Sequence, residues 1–529
     1  MSNERMADAS TANGLQRPSG VPVPMRAALT ILSHPLAHRV GERCVLEALS
    51  AGNEVALARN TPDFVKPGHA LGMPLADPFV SRKPIRLVPL GAGRIRIVVE
   101  EGGTALTIGA PIQGPIEIDV REIAAGVPLV LADRVVLLLH AIEADVARTT
   151  ETLGMVGESA GIRSVRAHVE RLADLQVPVL LRGATGTGKE LVARALHDHG
   201  PRRGGPFVSV NLGAIPSELA AAELFGAQKG AYTGSTRDRE GFFRAARGGT
   251  LFLDEVGEAS PEVQAMLLRV LETGEMYPVG GQSPVTTDVR LLAATDADLD
   301  AQIRDGRFKA PLLHRLAGYE IVLPPLRERR EDIGVLFYHF AREELQALGE
   351  AHRLSPEDPY AEPWLPAALM ARLARFRWPG NIRQLRNVTR QLVIGSRGRA
   401  HVTPDPRLEA ELGEEITPPR PSRPSQEPSS KPRRKPSEID EAEVLAALRE
   451  GAWDMKAAAD RLGIPRSSIY DVIDRCPGIR TAGALSAAEI ERCYEACAGD
   501  LDAMVQRLEV SGRALKRRIK ELGLGGKRA

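Results

Sequence analysis

The chain has 529 residues, a length that suggests roughly three or four domains. Hydrophobic residues make up 43% and charged residues 26%, as in soluble globular proteins, and the net charge of +1 gives no overall attraction to nucleic acid or membrane. Four cysteines are too few for a disulfide scaffold, and no apolar run is long enough to cross a bilayer. The composition therefore argues against a disulfide-rich secreted protein and an integral membrane protein, and we expect a cytoplasmic location with no membrane partner.

The N-terminal region is dominated by short β-strand patterns. Residues 1–26 are polar, and we expect them to be disordered. From 27 to 145, runs such as "RIRIVVEE", "GPIEIDV" and "VPLVLADRVVLLLH" are bounded by glycine, proline and aspartate. This pattern predicts an all-β domain.

Three motifs in this region, "EVALARN", "LADPFVSRKPIRL" and "EGGTALTIG", follow the order of motifs in forkhead-associated (FHA) domains. The region resembles that family of β-sandwiches, which bind phosphothreonine peptides. The resemblance implies that Arg59, Ser81 and Arg82 hold a phosphate by charge-assisted hydrogen bonds, with Thr104 nearby. Pro84 replaces the usual histidine, and the family's Asn-Gly is missing. Two alternatives stay open: a sensor for a phosphothreonine protein or a kinase product, and a degenerate sandwich that binds no phosphopeptide and packs on the domain that follows it.

The central region, 150–397, alternates apolar strands such as "VPVLLRG", "GTLFLDE" and "VRLLAAT" with helical stretches. This alternation predicts an α/β fold with a parallel sheet covered by helices. Residues 398–437 follow, and they include the Pro-, Ser- and Arg-rich "EEITPPRPSRPSQEPSSKPRRKPS". Such a composition buries no core and predicts an extended linker.

A glycine-rich loop between an apolar strand and a helix predicts a phosphate site. Its members are Gly183, Ala184, Thr185, Gly186, Thr187, Gly188, Lys189 and Glu190. The glycines let backbone N–H groups turn toward phosphates, and the lysine and the helix N-terminus add positive charge. Glu190 stands where the common pattern has a hydroxyl residue.

A second apolar strand, "GGTLFLDE", ends in Asp254 and Glu255. Two carboxylates in this position suit a Mg²⁺ ion and an attacking water, as in ATP hydrolysis. Without a hydroxyl at position 190, Mg²⁺ would depend more on Asp254, the phosphates and waters.

Five motifs then occur in a recognisable order: "GATGTGKE", "LFGAQKGAYTGS", "GGTLFLDEVGE", "LPPLRERREDI" and "WPGNIRQLRNV". The region resembles the AAA+ domain of bacterial sigma-54-dependent transcriptional activators, a P-loop ATPase with a small helical subdomain. The resemblance implies that Lys189 binds phosphates, Asp254 binds Mg²⁺ and Glu255 polarises water. It further implies that Asn211 switches contact with Glu255 and that Arg383 senses phosphate.

The resemblance also implies an arginine finger, Arg315, that reaches the ATP of a neighbouring subunit in a ring, which is a hexamer in the family. The family usually has a second arginine and an aspartate nearby, where this chain has Lys309 and Pro311. A lysine keeps the charge but loses the planar fork that grips phosphate. Asp296 replaces a usual asparagine and adds a mildly repulsive carboxylate near the phosphates.

The surface loop that contacts sigma-54 in the family corresponds here to Gly230, Ala231, Tyr232, Thr233, Gly234 and Ser235. Tyr232 keeps the aromatic wedge of the more common phenylalanine, and Ser235 replaces a usual alanine. An exposed aromatic residue between glycines needs a partner, which favours a contact with sigma-54 RNA polymerase over a bare hairpin.

The C-terminal region is helical and contains an internal repeat, 438–480 and 481–529, with an offset of 46 residues from Leu462 to Leu508. Each copy resembles the Fis-like helix-turn-helix that ends many sigma-54 activators. The resemblance implies contact with double-stranded DNA through Arg466, Ser467, Ser468 and Tyr470 of the first copy and Arg513, Lys516 and Arg517 of the second. The second copy is more basic, and the first is either a DNA reader or a structural helical pair.

The sequence thus predicts an ATP- and Mg²⁺-dependent, ring-forming activator of sigma-54 RNA polymerase that binds DNA and is gated by its N-terminal domain. One alternative is a DNA-binding repressor or scaffold with a degenerate ATPase, which Lys309, Pro311 and Asp296 favour. Another is an ATP-driven remodeller of a different client protein.

Overall fold

A computed structural model describes residues 25–143, 151–231, 237–413 apart from 355–357 and 359, and most of 440–524. Within 440–524 the gaps are 451–452, 454, 463–468, 470–471, 474, 477–478, 481–482, 484, 498–499 and 523. The chain divides between Ser422 and Arg423 into two compact units. Among the described residues, no helix combines the length and the apolar character needed to cross a bilayer.

The first unit begins with a β-sandwich whose two sheets enclose one hydrophobic core. Its strands are β1 (Met25–Ser33), β2 (Arg43–Val45), β3 (Val55–Leu57), β4 (Phe64–Val65), β5 (Gly72–Met73), β6 (Ile85–Pro89), β7 (Ile95–Val98), β8 (Leu106–Ile108), β9 (Ala110–Pro111), β10 (Ile116–Ile118), β11 (Val127–Leu131) and β12 (Val135–Glu143). The large sheet has the order β5-β4-β2-β1-β12-β11-β8-β9, and the small sheet has the order β10-β7-β6-β3. Helices α1 (Glu47–Ser50) and α2 (Val120–Ala125) connect strands. The predicted β-rich region is confirmed.

The central strands of the large sheet are buried on both faces. Along β12, Leu137 and Leu139 enter the core between the sheets, whereas Val136 and Leu138 enter a second core on the outer face. Because side chains alternate along a strand, a strand that is covered on both sides has apolar residues at consecutive positions. This double burial explains the unbroken apolar run "VVLLL" in the sequence.

An α/β subdomain follows, built on a five-stranded sheet with the order β14-β15-β18-β13-β19 and only parallel pairs. Its strands are β13 (Val179–Arg182), β14 (Phe207–Asn211), β15 (Thr250–Asp254), β18 (Arg290–Thr295) and β19 (Tyr319–Val322), and a small hairpin contains β16 (Glu275–Met276) and β17 (Val285–Thr286). Its helices are α3 (Ala160–Leu172), α4 (Lys189–Asp198), α5 (Ser217–Phe225), α6 (Phe242–Ala245), α7 (Pro261–Thr273), α8 (Leu299–Arg304) and α9 (Ala310–Leu316). The predicted parallel sheet is confirmed.

A helical lid completes the first unit, with α10 (Asp332–Ala347), α11 (Ala367–Arg375), α12 (Asn381–Gly395) and α13 (Pro406–Gly413). Leu408 and Leu412 of α13 are buried in the core that α10, α11 and α12 share. The prediction of an extended linker over 398–437 is therefore wrong for 398–413, because these two leucines, one helical turn apart, give α13 an apolar face that the lid covers. The remaining linker residues, 414–437, lie outside the described part of the chain.

The outer face of the sandwich packs directly on the lid. Leu32 of β1 and Phe337 of α10 belong to one continuous hydrophobic core. The hydroxyl oxygens of Ser33 and Tyr338 lie 2.8 Å apart within this contact. A Cβ atom on Gly334 of α10 would lie 2.5 Å from the carbonyl oxygen of Leu32, so the helix and the strand touch at their backbones.

The second unit is a small helical body. Its described helices are Glu441–Glu450, Met455–Leu462, Ala487–Ala496, Leu501–Leu508 and Gly512–Glu521. Ala458 and Leu462 of the first repeat share a core with Met504 and Leu515 of the second. The two repeats therefore bury their apolar faces against each other.

Candidate functional site

The phosphate loop lies between β13 and α4, as the sequence predicts. Gly186 and Gly188 have φ angles of +77° and +101°, in the left-handed region that favours glycine. The ammonium of Lys189, at the start of α4, donates to the carbonyl oxygen of Gly183 at 2.8 Å. Burial lowers the pKa of Lys189, while the nearby carboxylates of Asp296 and Asp254 oppose that shift. The loop thus presents backbone N–H groups, a lysine and a helix N-terminus to one place.

The two predicted carboxylates lie at the carboxyl end of β15, which is separated from β13 and its phosphate loop by one strand, β18. The Oδ1 atom of Asp254 accepts from the backbone N–H of Glu255 at 3.0 Å. Glu255 has a φ of +56°, which is uncommon for a residue with a side chain and is frequent at functional sites. Carboxylate oxygens are ligands that Mg²⁺ prefers, so this strand end suits the ion.

Asn211 is brought to the same strand end. It pairs in register with Asp254, because β14 is the neighbour of β15. The side chains of Asn211 and Glu255 both border Gly213, where an added Cβ atom would meet Glu255 Oε2. The Oδ1 atom of Asn211 accepts from the N–H of Ala214 at 3.1 Å. The predicted neighbourhood of Asn211 and Glu255 therefore exists in the fold.

Asp296 follows the last residue of β18, the strand between β15 and β13. The hydroxyl of Thr185 in the phosphate loop donates to Asp296 Oδ2. The carboxylate of Asp296 also favours the charged form of Lys189. The residue that departs from the family pattern thus contacts the phosphate loop directly.

The lid reaches the phosphate loop through the N-terminus of α12. The N–H of Ile382 donates to the carbonyl of Gly186 at 3.0 Å, and the side-chain amide of Asn381 donates to the carbonyl of Thr185 at 2.9 Å. Arg383 lies at the same contact, and its charge lowers the pKa of Lys189. The structure thereby brings the predicted sensor arginine to the phosphate loop. Sequence reasoning missed Asn381, although it stands two residues before Arg383.

A small cavity beside the phosphate loop has a mainly apolar lining and a volume of about 100 Å³. Its lining includes Met155, Val156, Ile162, Leu191, Leu336, His339, Phe340 and Ile382. A flat, partly apolar ring fits such a lining, so a nucleotide base could occupy this space. Leu336, His339 and Phe340 share one face of α10, which is a signal in the sequence, but most of the other lining residues come from three distant segments of the chain.

The predicted finger residues lie on the exposed surface at α9. Arg315 is 58% exposed and lies 3.9 Å from a carboxylate oxygen of Glu272. Lys309 is the residue before α9 and is exposed, and its backbone N–H donates to Gln264 at 2.9 Å. Pro311 is the second residue of the helix, where a missing N–H leaves no hydrogen bond unmade. The proline that stands here in place of the family's aspartate is therefore compatible with an intact α9.

The base of the loop predicted to contact sigma-54 is held by a hydrogen bond and two β-bridges. Lys229 donates its N–H to Asp238 across the loop, and Ala227 bridges both Arg239 and Val279. Gly230 and Ala231 lie at the end of this base. Tyr232, Thr233, Gly234 and Ser235 lie outside the described residues.

The predicted DNA-contacting residues are only partly described. Arg466, Ser467, Ser468 and Tyr470 lie outside the described residues. In the second repeat, Leu501–Leu508 and Gly512–Glu521 are joined by a short turn at Glu509, whose φ is +54°. Lys516 and Arg517 are exposed on the latter helix, and the described backbone also includes Arg513.

The predicted phosphopeptide residues meet at one end of the sandwich. The N–H of Ser81 donates to the hydroxyl of Thr104 at 2.8 Å, and the N–H of Arg59 donates to the carbonyl of Ser81 at 3.0 Å. Arg82 is exposed beside them. The guanidinium of Arg59, however, already donates to the carbonyls of Val80, at 2.7 Å, and Pro78.

Comparisons with known proteins cover both the α/β subdomain and the lid, which together form the site. Residues 155–322 match the family described as the sigma-54 interaction domain, and residues 327–421 match the AAA+ ATPase lid domain. The chain is 40% identical over 382 residues to the DNA-binding transcriptional regulator NtrC of Salmonella typhimurium, covering 70% of this chain and 77% of that protein. It is 38% identical over 384 residues to NtrC of Azospirillum brasilense, covering 73% and 72%. A crystal structure of NtrX from Brucella abortus in complex with ATP aligns at 29% identity over 70% of this chain and 69% of that one, with a TM-score of 0.43.

Proposed function

This chain belongs to the family of NtrC-type sigma-54 transcriptional activators, and from that premise we propose that it hydrolyses ATP in a ring of subunits to activate sigma-54 RNA polymerase. The chain carries the sigma-54 interaction domain and the AAA+ lid of that family. One observation carries the proposal: the phosphate loop, the Asp254–Glu255 pair and the lid arginine Arg383 converge on one site. A site that joins all three has the groups that ATP hydrolysis requires.

In this site the phosphates of ATP would lie on the loop from Gly183 to Gly188, with Lys189 as their counter-charge. Bound Mg²⁺ would neutralise part of the phosphate charge, and Asp254 is the side chain that would hold it together with waters. Glu255 would orient and polarise the attacking water, and Asn211 beside it would adjust its position. Arg383 would report the γ-phosphate to the lid through α12.

Hydrolysis would be completed by a neighbouring subunit. The exposure of Arg315, whose described ion pair with Glu272 is long at 3.9 Å, supports a role for it as a finger in trans. A finger neutralises charge that develops in the transition state and is worth ~10³–10⁵ in rate. Lys309 would add charge at the same surface without the bidentate geometry of an arginine. A ring, which is a hexamer in the family, follows from a site that two subunits share.

The conformational change that ATP hydrolysis causes would be transmitted to sigma-54 through the loop at 230–235. The base of this loop is fixed by Ala227, Lys229 and Asp238, so a movement of the base would be transmitted to Tyr232 and Thr233. These residues would engage sigma-54 and remodel the closed promoter complex. Binding of sigma-54 in the presence of an ATP transition-state mimic tests this step. Wild-type protein that hydrolyses ATP yet ignores sigma-54 would instead support the remodelling of another client.

DNA binding is assigned to the second unit. The exposed Lys516 and Arg517, with Arg513 on the same helix, support phosphate contacts by the second repeat. For the first repeat, Arg466, Ser467, Ser468 and Tyr470 are the proposed readers. Genome-wide occupancy, compared with promoters that carry the sigma-54 element, tests whether this unit directs the protein to its targets.

The N-terminal sandwich would gate the ATPase in response to a phosphothreonine protein or a kinase product. The proximity of Arg59, Ser81 and Thr104 supports a phosphate site at this end. Binding of phosphothreonine peptides by the wild-type chain, and its loss in Arg59→Ala, tests the idea. Peptides that bind equally well with and without the phosphate would contradict it.

A second candidate function is a DNA-bound scaffold whose ATPase is degenerate. The hydrogen bond from Thr185 to Asp296 favours it, because a carboxylate in contact with the phosphate loop opposes a bound triphosphate. An ATPase assay over a range of protein concentrations separates the two, with Lys189→Ala as the inactive control. Turnover that stays at the level of Lys189→Ala at every concentration would favour the scaffold.

A further inference from the structure

A single loop connects the candidate phosphate site of the sandwich with the lid of the ATPase. We call residues 76–81, with the sequence "ADPFVS", the lid-contacting loop. Its two ends are held by the backbone of Arg59, whose carbonyl accepts from Ala76 at 2.9 Å and whose N–H donates to Ser81 at 3.0 Å. The guanidinium of Arg59 then reaches the middle of the loop, at the carbonyls of Pro78 and Val80. Arg59 therefore contacts both ends and the middle of the loop.

The other side of the same loop holds the lid. Asp77 is 2% exposed, and its carboxylate accepts from the N–H of Phe79 at 2.9 Å and from Arg134 Nε at 3.2 Å. Arg134 in turn donates to the carbonyl of Ala361 in the lid at 2.8 Å. Its guanidinium carbon lies 4.3 Å from the centre of the Phe79 ring. One buried arginine thus links the loop to the lid by a salt bridge, a hydrogen bond and a cation–π contact.

An aromatic contact adds to this link. The ring of Phe79 meets the ring of Tyr360 in the lid edge to face, with centroids 6.2 Å apart. Both rings are largely exposed, at 50% and 66%. The position of Phe79 in this pair depends on the loop that carries it and on Arg134, which packs on its ring.

Three arginines hold the chain from Met73 to Val80, and they differ in their exposure. Arg39 and Arg134 are 1% and 5% exposed. Arg39 donates to the carbonyls of Met73, Pro74 and Leu75. Arg59 is partly exposed, so it is the one of the three that an incoming ligand can reach. Its present acceptors are neutral carbonyls, which bind a guanidinium less strongly than a phosphate does.

We propose that Arg59 is a latch: when its guanidinium exchanges the carbonyls of Pro78 and Val80 for the phosphate of a phosphothreonine ligand, the lid-contacting loop loosens and gives up its contacts with the lid. This inference rests on the proposed phosphothreonine binding and adds how that binding reaches the ATPase. The released contacts are those from Arg134 to Ala361 and from Phe79 to Tyr360. Since the same lid touches the phosphate loop through Ile382 and Asn381, the loss of these contacts changes nucleotide binding.

The latch has a consequence that needs no ligand. In the full-length chain, Arg59→Ala removes the guanidinium and leaves the loop in the state that a phosphate would produce. We expect faster amide hydrogen exchange at Phe79 and Val80 and in the lid around Ala361, with unchanged protection of β12 as proof that the sandwich is folded. Arg121→Ala, which removes an exposed arginine of α2 in the same sandwich, is the matched control and leaves the exchange as in the wild type. Unchanged lid exchange in Arg59→Ala overturns the latch.

The lid side gives an independent variant. Tyr360→Ala weakens the lid contact without touching Arg59, so the loop is easier to release. Because coupling between two sites is reciprocal, this variant should bind a degenerate phosphothreonine peptide pool more tightly than the wild type, by about fivefold. His352→Ala, at an exposed lid position, is the control and should bind as the wild type does. Equal affinity in Tyr360→Ala and wild type overturns the latch.

The probes are the degenerate phosphothreonine pool, its unphosphorylated counterpart and inorganic phosphate. Tighter binding of the phosphorylated pool together with faster lid exchange supports the latch. Binding of that pool with unchanged lid exchange overturns the latch and leaves the phosphothreonine function standing. If the wild type binds none of the three probes, the proposed phosphothreonine function and the ligand of the latch both fail.

Discussion

In the proposed function, single side chains around the phosphate loop would influence the relative affinity for ATP and ADP. Asp296 accepts a hydrogen bond from Thr185 and lies close enough to Lys189 to influence its pKa. A carboxylate in this position repels the γ-phosphate of ATP more than it repels ADP, because ADP ends one phosphate earlier. The asparagine that is usual in this family would keep a hydrogen-bonding side chain without the charge. In the proposed ATPase, Asp296 would therefore bias the site toward ADP.

We expect Asp296→Asn to tighten ATP binding roughly fivefold, the effect of removing one repulsive charge at a few ångströms in a solvated site, and to change ADP binding less. Equilibrium titration with fluorescent ATP and ADP analogues measures both affinities. Asp298→Asn is the matched control, because Asp298 caps α8 and asparagine caps a helix equally well. An unchanged ratio of the two affinities in Asp296→Asn would contradict this account.

A second effect of a single residue concerns His140, which is buried in β12 of the sandwich. The hydroxyl of Thr30 accepts from Arg43 Nε at 3.2 Å and shares a hydrogen bond with His140 Nε2 at 2.8 Å. Burial and the charge of Arg43 lower the pKa of His140 to about 3. Because the pKa is lower in the folded state, His140 stabilises the fold above pH 6.5, and this contribution is lost as the pH falls toward 3.

We therefore expect wild-type protein to lose about 1–2 kcal/mol more unfolding free energy than His140→Gln between pH 7.5 and pH 5. Glutamine can accept from Thr30 and has no charge to gain. Urea unfolding at the two pH values measures the difference. The comparison within one pair of proteins cancels Glu331, whose pKa is raised by burial and whose effect has the opposite sign. Equal losses in both proteins would show that His140 does not carry the acid sensitivity.

At the scale of the element, helix α10 serves two neighbours at once. One of its faces places Leu336, His339 and Phe340 against the cavity beside the phosphate loop. Another face places Gly334 and Tyr338 against the sandwich. A rigid helix that touches both cannot shift toward one without changing the other. Through α10, the position of the sandwich therefore affects the cavity beside the phosphate loop.

The glycine on α10 provides a test of this packing. We expect Gly334→Ala to lower the unfolding free energy by about 1–3 kcal/mol, because its methyl group would overlap the backbone of Leu32. Gly395→Ala is the control: it lies at the end of α12 with no atom near its added Cβ, and it should stabilise the fold by about 0.5–1 kcal/mol. Urea unfolding measures both. A stabilised Gly334→Ala would mean that the helix and the strand are not in contact.

At the scale of the whole molecule, one protomer does not complete the proposed ATPase. Lys189, Asp254, Glu255 and Arg383 belong to one site, whereas Arg315 lies on the exposed surface at α9. A site divided between subunits makes turnover depend on assembly. In the proposed function, control of assembly is therefore control of activity.

We expect the ATPase rate per protomer to rise with protein concentration and to fall by ~10³-fold or more in Arg315→Ala, while nucleotide affinity stays within about twofold. Steady-state turnover and equilibrium binding, both as functions of concentration, measure these quantities. Arg307→Ala removes a nearby exposed arginine that pairs with Asp305, and it serves as the control. Full activity in Arg315→Ala would remove the finger from the mechanism.

The sequence by itself determined the residues whose chemistry is local. The glycines before Lys189 and the pair Asp254–Glu255 carry their signal in a few consecutive positions, because a strand end and a helix start fix their surroundings. The parallel sheet and the β-rich N-terminal region also follow from local patterns. The composition of 398–437 wrongly predicted an extended linker for 398–413. The two leucines of α13 stabilise a helix there only because the lid covers them.

Only the tertiary structure decided how these parts touch. Ser33 and Tyr338 are 305 positions apart, and Arg134 and Ala361 are 227 apart, so no periodicity in the sequence relates them. The sequence left open whether the sandwich packs on the ATPase, and the fold packs it on the lid of its own chain. The same is true of Arg59, whose chemistry suggests a phosphate but whose neighbours make it the support of a loop. Side-chain type sets what a residue can bind, and long-range packing sets what it does bind.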